Sequence, residues 1–325
     1  MNTEIFPLSE KYIDFLEHDA SVEFLEGTTF AGKTTVGIPK FMFKIMNNTS
    51  TKPSIIAGLD LGTIEKNIIN SDMGLIEIFG DYENGGCIEY KPNGAGKISL
   101  PHIIFHTPNG NKIIYVLGYD NKKRWKKALG GQCYGLFIDE FNIADMDFVR
   151  EAFMRADYKL CTLNPDDPNK ECYTQYVNHA RPTKKYKNDA PSELLKMLDL
   201  PQIADWTWWY FTFDNNASLT EEKKKQIIES VPTGTKLYKN KILGLRGKAT
   251  GLVFNIESKD IITEKQAMFV DWQEKEPKKK RKFIRFAIGC DTSYSKKTHD
   301  KLTFEFIGIT DDRKCILLEE ETHNN

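Results

Sequence analysis

The chain has 325 residues, 40% hydrophobic and 28% charged, which is the composition of a folded globular protein and not of a disordered or fibrous one. Lys and Arg (45) nearly cancel Asp and Glu (46), so net charge does not announce a nucleic-acid partner and any DNA contact must come from local basic patches. Six scattered cysteines without CxxC spacing, an N-terminus without the pattern of a secretory leader, and no apolar run of about 18 residues argue for a reduced cytosol and against a zinc site or a membrane span.

In chain order, LSEKYIDFLEH (8–18) predicts a short amphipathic helix, and VEFLEG (22–27) a strand running into a Gly-bounded loop that turns helical at Lys33. SIIAGLD (54–60) predicts a buried strand followed by a helix through about Phe79. Residues 85–118 predict hairpins, with Pro108-Asn109-Gly110 as a turn. A basic helix (121–129), the strand YGLFID (134–139), a further helix and the strand YKLCTL (158–163) follow. Strands alternating with helices predict an α/β fold with a mostly parallel central sheet flanked by helices. WTWWYFTFD (206–214) predicts an aromatic strand, its tryptophans reading as core packing and not base stacking. SLTE (218–221) predicts a capping box between Ser218 and Glu221, and two helical stretches lead to about Arg246. QEKEPKKKRK (273–282) reads as a charged linker, and FIRFAIGCD (283–291) opens a new apolar strand with two more behind it. The expected division is a first domain over 1–255 that includes a helical lid region at about 166–250, a linker over 256–282 and the start of a second domain over 283–325.

Gly27-Thr28-Thr29-Phe30-Ala31-Gly32-Lys33-Thr34 satisfies GxxxxGK[ST] between a strand and a helix, with Thr35 behind it. Backbone N–H groups and a helix N-terminus hold phosphate oxygens there, Lys33 reaches the β- and γ-phosphates of ATP, and the Thr34 hydroxyl ligates Mg²⁺. Gly94-Ala95-Gly96-Lys97 imitates the motif but lacks the first glycine and the preceding strand, so it reads as a hairpin loop. GLFIDE (135–140) is an apolar strand ending in two acids: Asp139 suits the Mg²⁺ shell, and Glu140 suits polarisation of the attacking water. LCTLNP (160–165) places Thr162 and Asn164 where a γ-phosphate sensor would lie, although an Asn-Pro after a strand is more often only a turn.

Taken in order, these motifs resemble the large terminase subunit of tailed bacteriophages. FTFDNNASLTEE (211–222), TGTKLYKNKILGLRG (233–247) with GLVF behind it, and Ile288-Gly289-Cys290-Asp291 extend the resemblance over nearly the whole chain. The resemblance implies a translocating ATPase that packages double-stranded viral DNA in the cytoplasm of the bacterial host. It would act as a homo-oligomeric ring on the portal protein, with a small terminase subunit recruiting the DNA. It also implies an RNase H-like second domain, whose first metal carboxylate corresponds to Asp291, with Asp300 nearby; with that domain expected to be incomplete, nuclease activity is not expected. Many relatives carry an arginine within the phosphate loop where this chain has Thr29, so a transition-state arginine is expected from elsewhere: Arg124 first, then Arg150 and Arg155.

Phe6 and Tyr12 are positioned in sequence to stack on adenine. PKKKRK (277–282) reads first as a solvated linker and second as a weak contact to DNA phosphates. Two other readings remain open: a helicase-like or repair ATPase, and a nucleotide-binding assembly remnant that no longer hydrolyses.

Overall fold

The computed structural model describes residues 8–247, 262–270, 279–291 and 301–324. Its contacts group into two compact units, residues 1–251 and 252–325.

The first unit is built on eight strands: β1 (Val22–Gly27), β2 (Ser54–Gly58), β3 (Ile88–Lys91), β4 (His102–Phe105), β5 (Lys112–Gly118), β6 (Cys133–Ile138), β7 (Ala156–Leu163) and β8 (Trp206–Phe211). Their order across the sheet is β3-β4-β5-β2-β6-β7-β1-β8. From β5 to β8 every pairing is parallel, while β3, β4 and β5 pair antiparallel. Two consequences matter for function: the ends of β1, β7 and β6 emerge side by side, and β7 separates the strand of the phosphate loop from the strand of the two acids.

Both faces of the sheet are covered, so its inner strands are buried at nearly every position. On one face lie α1 (Glu10–Glu17), α2 (Lys33–Asn47), α3 (Leu61–Ile64) and α4 (Leu75–Phe79), over a core that includes Phe15, Phe41, Ile56, Phe137 and Phe211. On the other lie α5 (Lys122–Ala128), α6 (Met146–Arg155), α7 (Glu171–Gln175) and α8 (Ser192–Met197), over Phe24, Leu136, Ile138, Phe148 and Trp208. Successive side chains of a strand point to opposite faces, which sends Trp206 and Trp208 into one core and Trp209 into the other. The aromatic strand is packing, as its alternation predicts.

β1 also buries two glutamates, and each is fully hydrogen-bonded, as a buried charge must be. Glu23 meets Lys40 at 2.7 Å, Tyr158 at 3.0 Å and the Trp209 indole at 3.1 Å. Glu26 accepts from the Trp208 indole at 2.9 Å and from Arg246.

Two local expectations are corrected. The helix after β2 does not run unbroken to Phe79: α3 passes into a π-helical turn over Glu65–Ile69, and the chain then turns through Met73, at φ +63°, before α4. The Gly74 N–H closes that turn on the Ser71 carbonyl at 2.7 Å. The Ser218/Glu221 capping box is absent, because Ser218 donates instead to Asn216 Oδ1 at 2.6 Å. Helix α9 (Glu221–Glu229) is capped by Thr220, which accepts from the Lys223 N–H. The GAGK decoy sits in the connection from β3 to β4, closed by a bridge between Ala95 and Ile98.

In the second unit, helix α10 (Glu264–Met268) leads into β9 (Phe269–Val270), which pairs antiparallel with β10 (Lys279–Lys280). Strands β11 (Phe283–Asp291), β12 (Lys301–Thr310) and β13 (Cys315–Asn324) form an antiparallel sheet in that order. Asp291 ends β11 opposite Thr303. Its side chain, Phe6, Asp300 and the GLVF segment lie outside the described residues.

Candidate nucleotide site

The phosphate loop leaves β1 at Gly27, where φ is +153° and a Cβ would stand 1.7 Å from the Phe211 carbonyl oxygen. Only glycine lets the chain pass so close to the end of β8. The loop then turns through Phe30 at φ +54° and Gly32 at φ +73° into the N-terminus of α2. Thr28 N–H donates to the Phe211 carbonyl at 3.0 Å and Thr29 N–H to the Lys241 carbonyl at 2.9 Å, which anchors the root of the loop. The free N–H groups of the first turn of α2 and its dipole supply positive potential at the loop.

Lys33 is buried, and its ammonium donates to the carbonyls of Gly27 at 3.1 Å and Thr28 at 2.6 Å, and to Asn164 Oδ1 at 3.1 Å. Burial, followed by repulsion from Lys241, pushes its pKa down to about 7. An anion placed beside Lys33 therefore gains a cation that is poorly solvated and electrostatically strong.

The acids come from the next strand but one. Asp139 Oδ1 accepts from the Thr34 hydroxyl at 2.8 Å and from the Thr162 hydroxyl at 2.5 Å. Thr162 Oγ1 also receives the Glu140 N–H at 3.4 Å. The end of β7 thus touches both sides of the site: Thr162 holds the acids and Asn164 holds the loop lysine. Glu140 sits in the left-handed region at φ +54°, a conformation that costs a non-glycine residue energy and is found where a side chain must be aimed. Burial and then the neighbouring Asp139 raise its pKa, with Lys241 and Lys33 opposing.

The side chains of Thr34 and Asp139 form a hard-oxygen pair beside the loop, the donor set that suits Mg²⁺ held mainly by phosphates and water. Among the described residues no group of three or more His, Cys, Asp or Glu could cage a metal by itself.

Together these groups enclose a cavity of about 390 Å³ walled by Thr29 through Thr35, Asp139, Glu140, Thr162 and Asn164. Gly27 and Thr28 do not line it; they form the root of the loop, through carbonyls that accept from Lys33. A second, apolar cavity of about 460 Å³ shares Gly32 and Thr35 with the first and is walled by Leu8, Tyr12, Val36 and Phe43. Asn67 and Asn216 also line the first cavity, and no fixed spacing singles them out. Asn216 donates to the Phe30 carbonyl at 2.8 Å, and so pins the apex of the loop.

The three arginines lie elsewhere. Arg150 pairs with Glu171 at 2.8 Å and Arg155 with Glu151 at 2.6 Å. Arg124 is exposed on α5, and among the described residues its guanidinium makes no ion pair or hydrogen bond.

No family model matches the sequence, and no curated protein is recognisably similar to it. Solved structures are. The large terminase of a thermophilic bacteriophage superposes with a TM-score of 0.56 at 18% identity, over 98% of this chain and 69% of that one. Its complex with ADP gives a TM-score of 0.57 at 18% identity, with the same coverage. This is the fold of the large terminases. A point variant of the Thermus phage P74-26 large terminase ATPase domain matches the same fold with a TM-score of 0.50 at 9% identity, covering 74% of this chain and 95% of that one. The terminase resemblance read from the motifs and the likeness of the backbones agree, and the large mostly parallel sheet expected from the strand–helix alternation is present. Among the described residues, no helix is long and apolar enough to cross a membrane.

Proposed function

We propose that the chain is an ATP hydrolase that drives double-stranded DNA into a viral capsid, the motor subunit of a DNA-packaging terminase. The observation that carries this reading is the convergence of Lys33, Thr34, Asp139, Glu140, Thr162 and Asn164 on one cavity at the ends of three adjacent strands. Solved structures of the same fold include complexes with ADP and with ATP-gamma-S, which supports the nucleotide assignment.

In this reading the triphosphate enters along the N–H groups of residues 29–35, and Lys33 exchanges the Gly27 and Thr28 carbonyls for the β- and γ-phosphate oxygens. The apolar cavity beside Tyr12, Val36 and Phe43 receives the base. Thr34 and Asp139 would hold Mg²⁺, which would supply charge neutralisation for the phosphates when bound. Glu140 orients the attacking water and accepts its proton; its raised pKa makes it a better base than a solvated carboxylate. Loss of the γ-phosphate is felt at once by Asn164, through Lys33, and by Thr162, through Asp139. Beyond Asn164 the chain enters the lid, residues 166–250, where Asp166 binds Lys236 at 2.7 Å and takes the Gly247 N–H on its carbonyl at 3.0 Å.

The antiparallel strands β11 to β13 fit the opening of an RNase H-like domain, with Asp291 as its first carboxylate. Two-metal cleavage needs several carboxylates, and nuclease activity is not part of the proposal. Portal protein, small terminase subunit and a ring of copies of this chain, in the cytoplasm of a bacterial host, complete the machine.

The test is stimulation of Mg²⁺-dependent ATP turnover by double-stranded DNA, together with displacement of a third strand from a DNA triplex. Stimulation and displacement support a translocating motor. Turnover indifferent to DNA sinks the motor reading and leaves an ATPase of another kind.

A further inference from the structure

The wall of the phosphate cavity holds one cation, Lys33, against two acids, Asp139 and Glu140. A triphosphate and its transition state call for more positive charge than that. The lid supplies a candidate at its seam with the phosphate loop. Residues Tyr238–Ile242 form a π-helical turn, a rare geometry that occurs frequently at functional sites. The Lys241 carbonyl accepts the Thr29 N–H at 2.9 Å, so the turn is bonded to the loop through its own backbone. Gly244, at φ +65°, completes the close approach: a Cβ there would stand 3.1 Å from Thr28 Cγ2 and 2.3 Å from the Tyr210 hydroxyl.

The lysines in and just before this turn differ in a telling way. Lys236 is paired with Asp166 at 2.7 Å and Lys239 with Glu193 at 3.2 Å. Lys241 is half-buried, and among the described residues its ammonium has neither an ion-pair nor a hydrogen-bond partner. Its charge nevertheless reaches the site, for it depresses the Lys33 pKa and favours the Glu140 anion. Nearby, among the described residues, Thr28 Oγ1 and Asn240 Oδ1 are both buried without partners. Native proteins rarely leave such groups unsatisfied, and each one calls for an explanation. A seam with unmet polar atoms and an unpaired cation is built to rearrange around a ligand.

We propose that Lys241 is a second γ-phosphate cation, delivered from the lid in cis and acting together with Lys33. Its four-carbon stem gives the ammonium the reach to cross from the seam to the loop. The contact exists only while a γ-phosphate is present, so it ties the lid to the difference between ATP and ADP. This rests on the ATPase reading above.

Calorimetric titration of the full chain with Mg²⁺-ATP-gamma-S and Mg²⁺-ADP separates the two. Lys241→Ala is expected to weaken ATP-gamma-S binding about tenfold, the size of one charge-assisted hydrogen bond, and to leave ADP binding within about twofold. Lys241→Arg is expected to restore most of the loss, and thermal unfolding of both variants to match wild type. Parallel loss of both nucleotides, or no loss of either, overturns the inference while leaving the ATPase reading intact. A wild-type chain that binds neither nucleotide overturns both.

Discussion

Arg246 closes on Glu26 through Nε at 2.8 Å and Nη2 at 2.7 Å, and solvent reaches neither side chain. Glu26 is the last residue before the phosphate loop, so this bidentate pair ties the segment around Arg246 to the root of that loop. Arg246 also donates to Asn178 at 2.7 Å and lies 3.9 Å above the Tyr173 ring. Removing one member of such a pair leaves a buried charge unmet and typically costs about 3–5 kcal/mol. Arg246→Ala is therefore expected to lower unfolding stability by about that much in denaturant titration. Replacing both residues with apolar ones is expected to cost less than the single change. A single variant as stable as wild type would show that the pair does not hold the lid.

Glu140→Gln is expected to bind ATP with wild-type affinity and to lose about 10²–10⁴-fold in turnover, the usual worth of a general base. Nucleotide titration and phosphate release measure the two quantities on one preparation. Normal hydrolysis by the variant would remove Glu140 from its role.

Arg124 is the one of the three expected arginines that is free of ion pairs among the described residues, and it lies on an exposed helix. If it acts on a neighbouring copy, Arg124→Ala leaves ATP affinity unchanged and lowers turnover in concentrated or assembled protein by about 10³-fold or more. Arg150→Ala, which breaks only surface pairs, is expected to have little effect. The reverse ranking would transfer the role to Arg150.

Burial pushes the Asp166 carboxyl up, but hydrogen bonds from Lys170 and Lys236 outweigh it and hold the group well below the usual carboxylate range. A carboxyl with a depressed folded pKa contributes stability that is complete above its unfolded value of about 4 and is lost as pH falls further. Wild type is therefore expected to be more stable than Asp166→Asn at pH 7, with the gap closing as melting is followed from about pH 5 down to pH 3. A gap that stays constant over that range would contradict the assignment.

The phosphate loop, the acid pair and the Thr162/Asn164 segment were legible in the sequence because each needs fixed residue types at fixed offsets from a strand end. The strands were legible because inner parallel strands are nearly continuous apolar runs. The seam between loop and lid was not. The chain's return along β8 and the π-helical turn brings Arg246 to Glu26 and the Lys241 carbonyl to the Thr29 N–H, and no local spacing records that. Ser218 misled for a related reason: its hydroxyl had a nearer partner in Asn216 than the backbone of a helix beginning three residues later.

The most direct test of the central claim is ATP turnover with Mg²⁺ by wild type and Lys33→Ala, measured side by side in folded, concentrated protein. The account predicts turnover in wild type that stops when Mg²⁺ is chelated and is absent in Lys33→Ala. Equal turnover in both proteins would contradict it, because the hydrolysis would then lie outside the cavity that Lys33, Asp139 and Glu140 define.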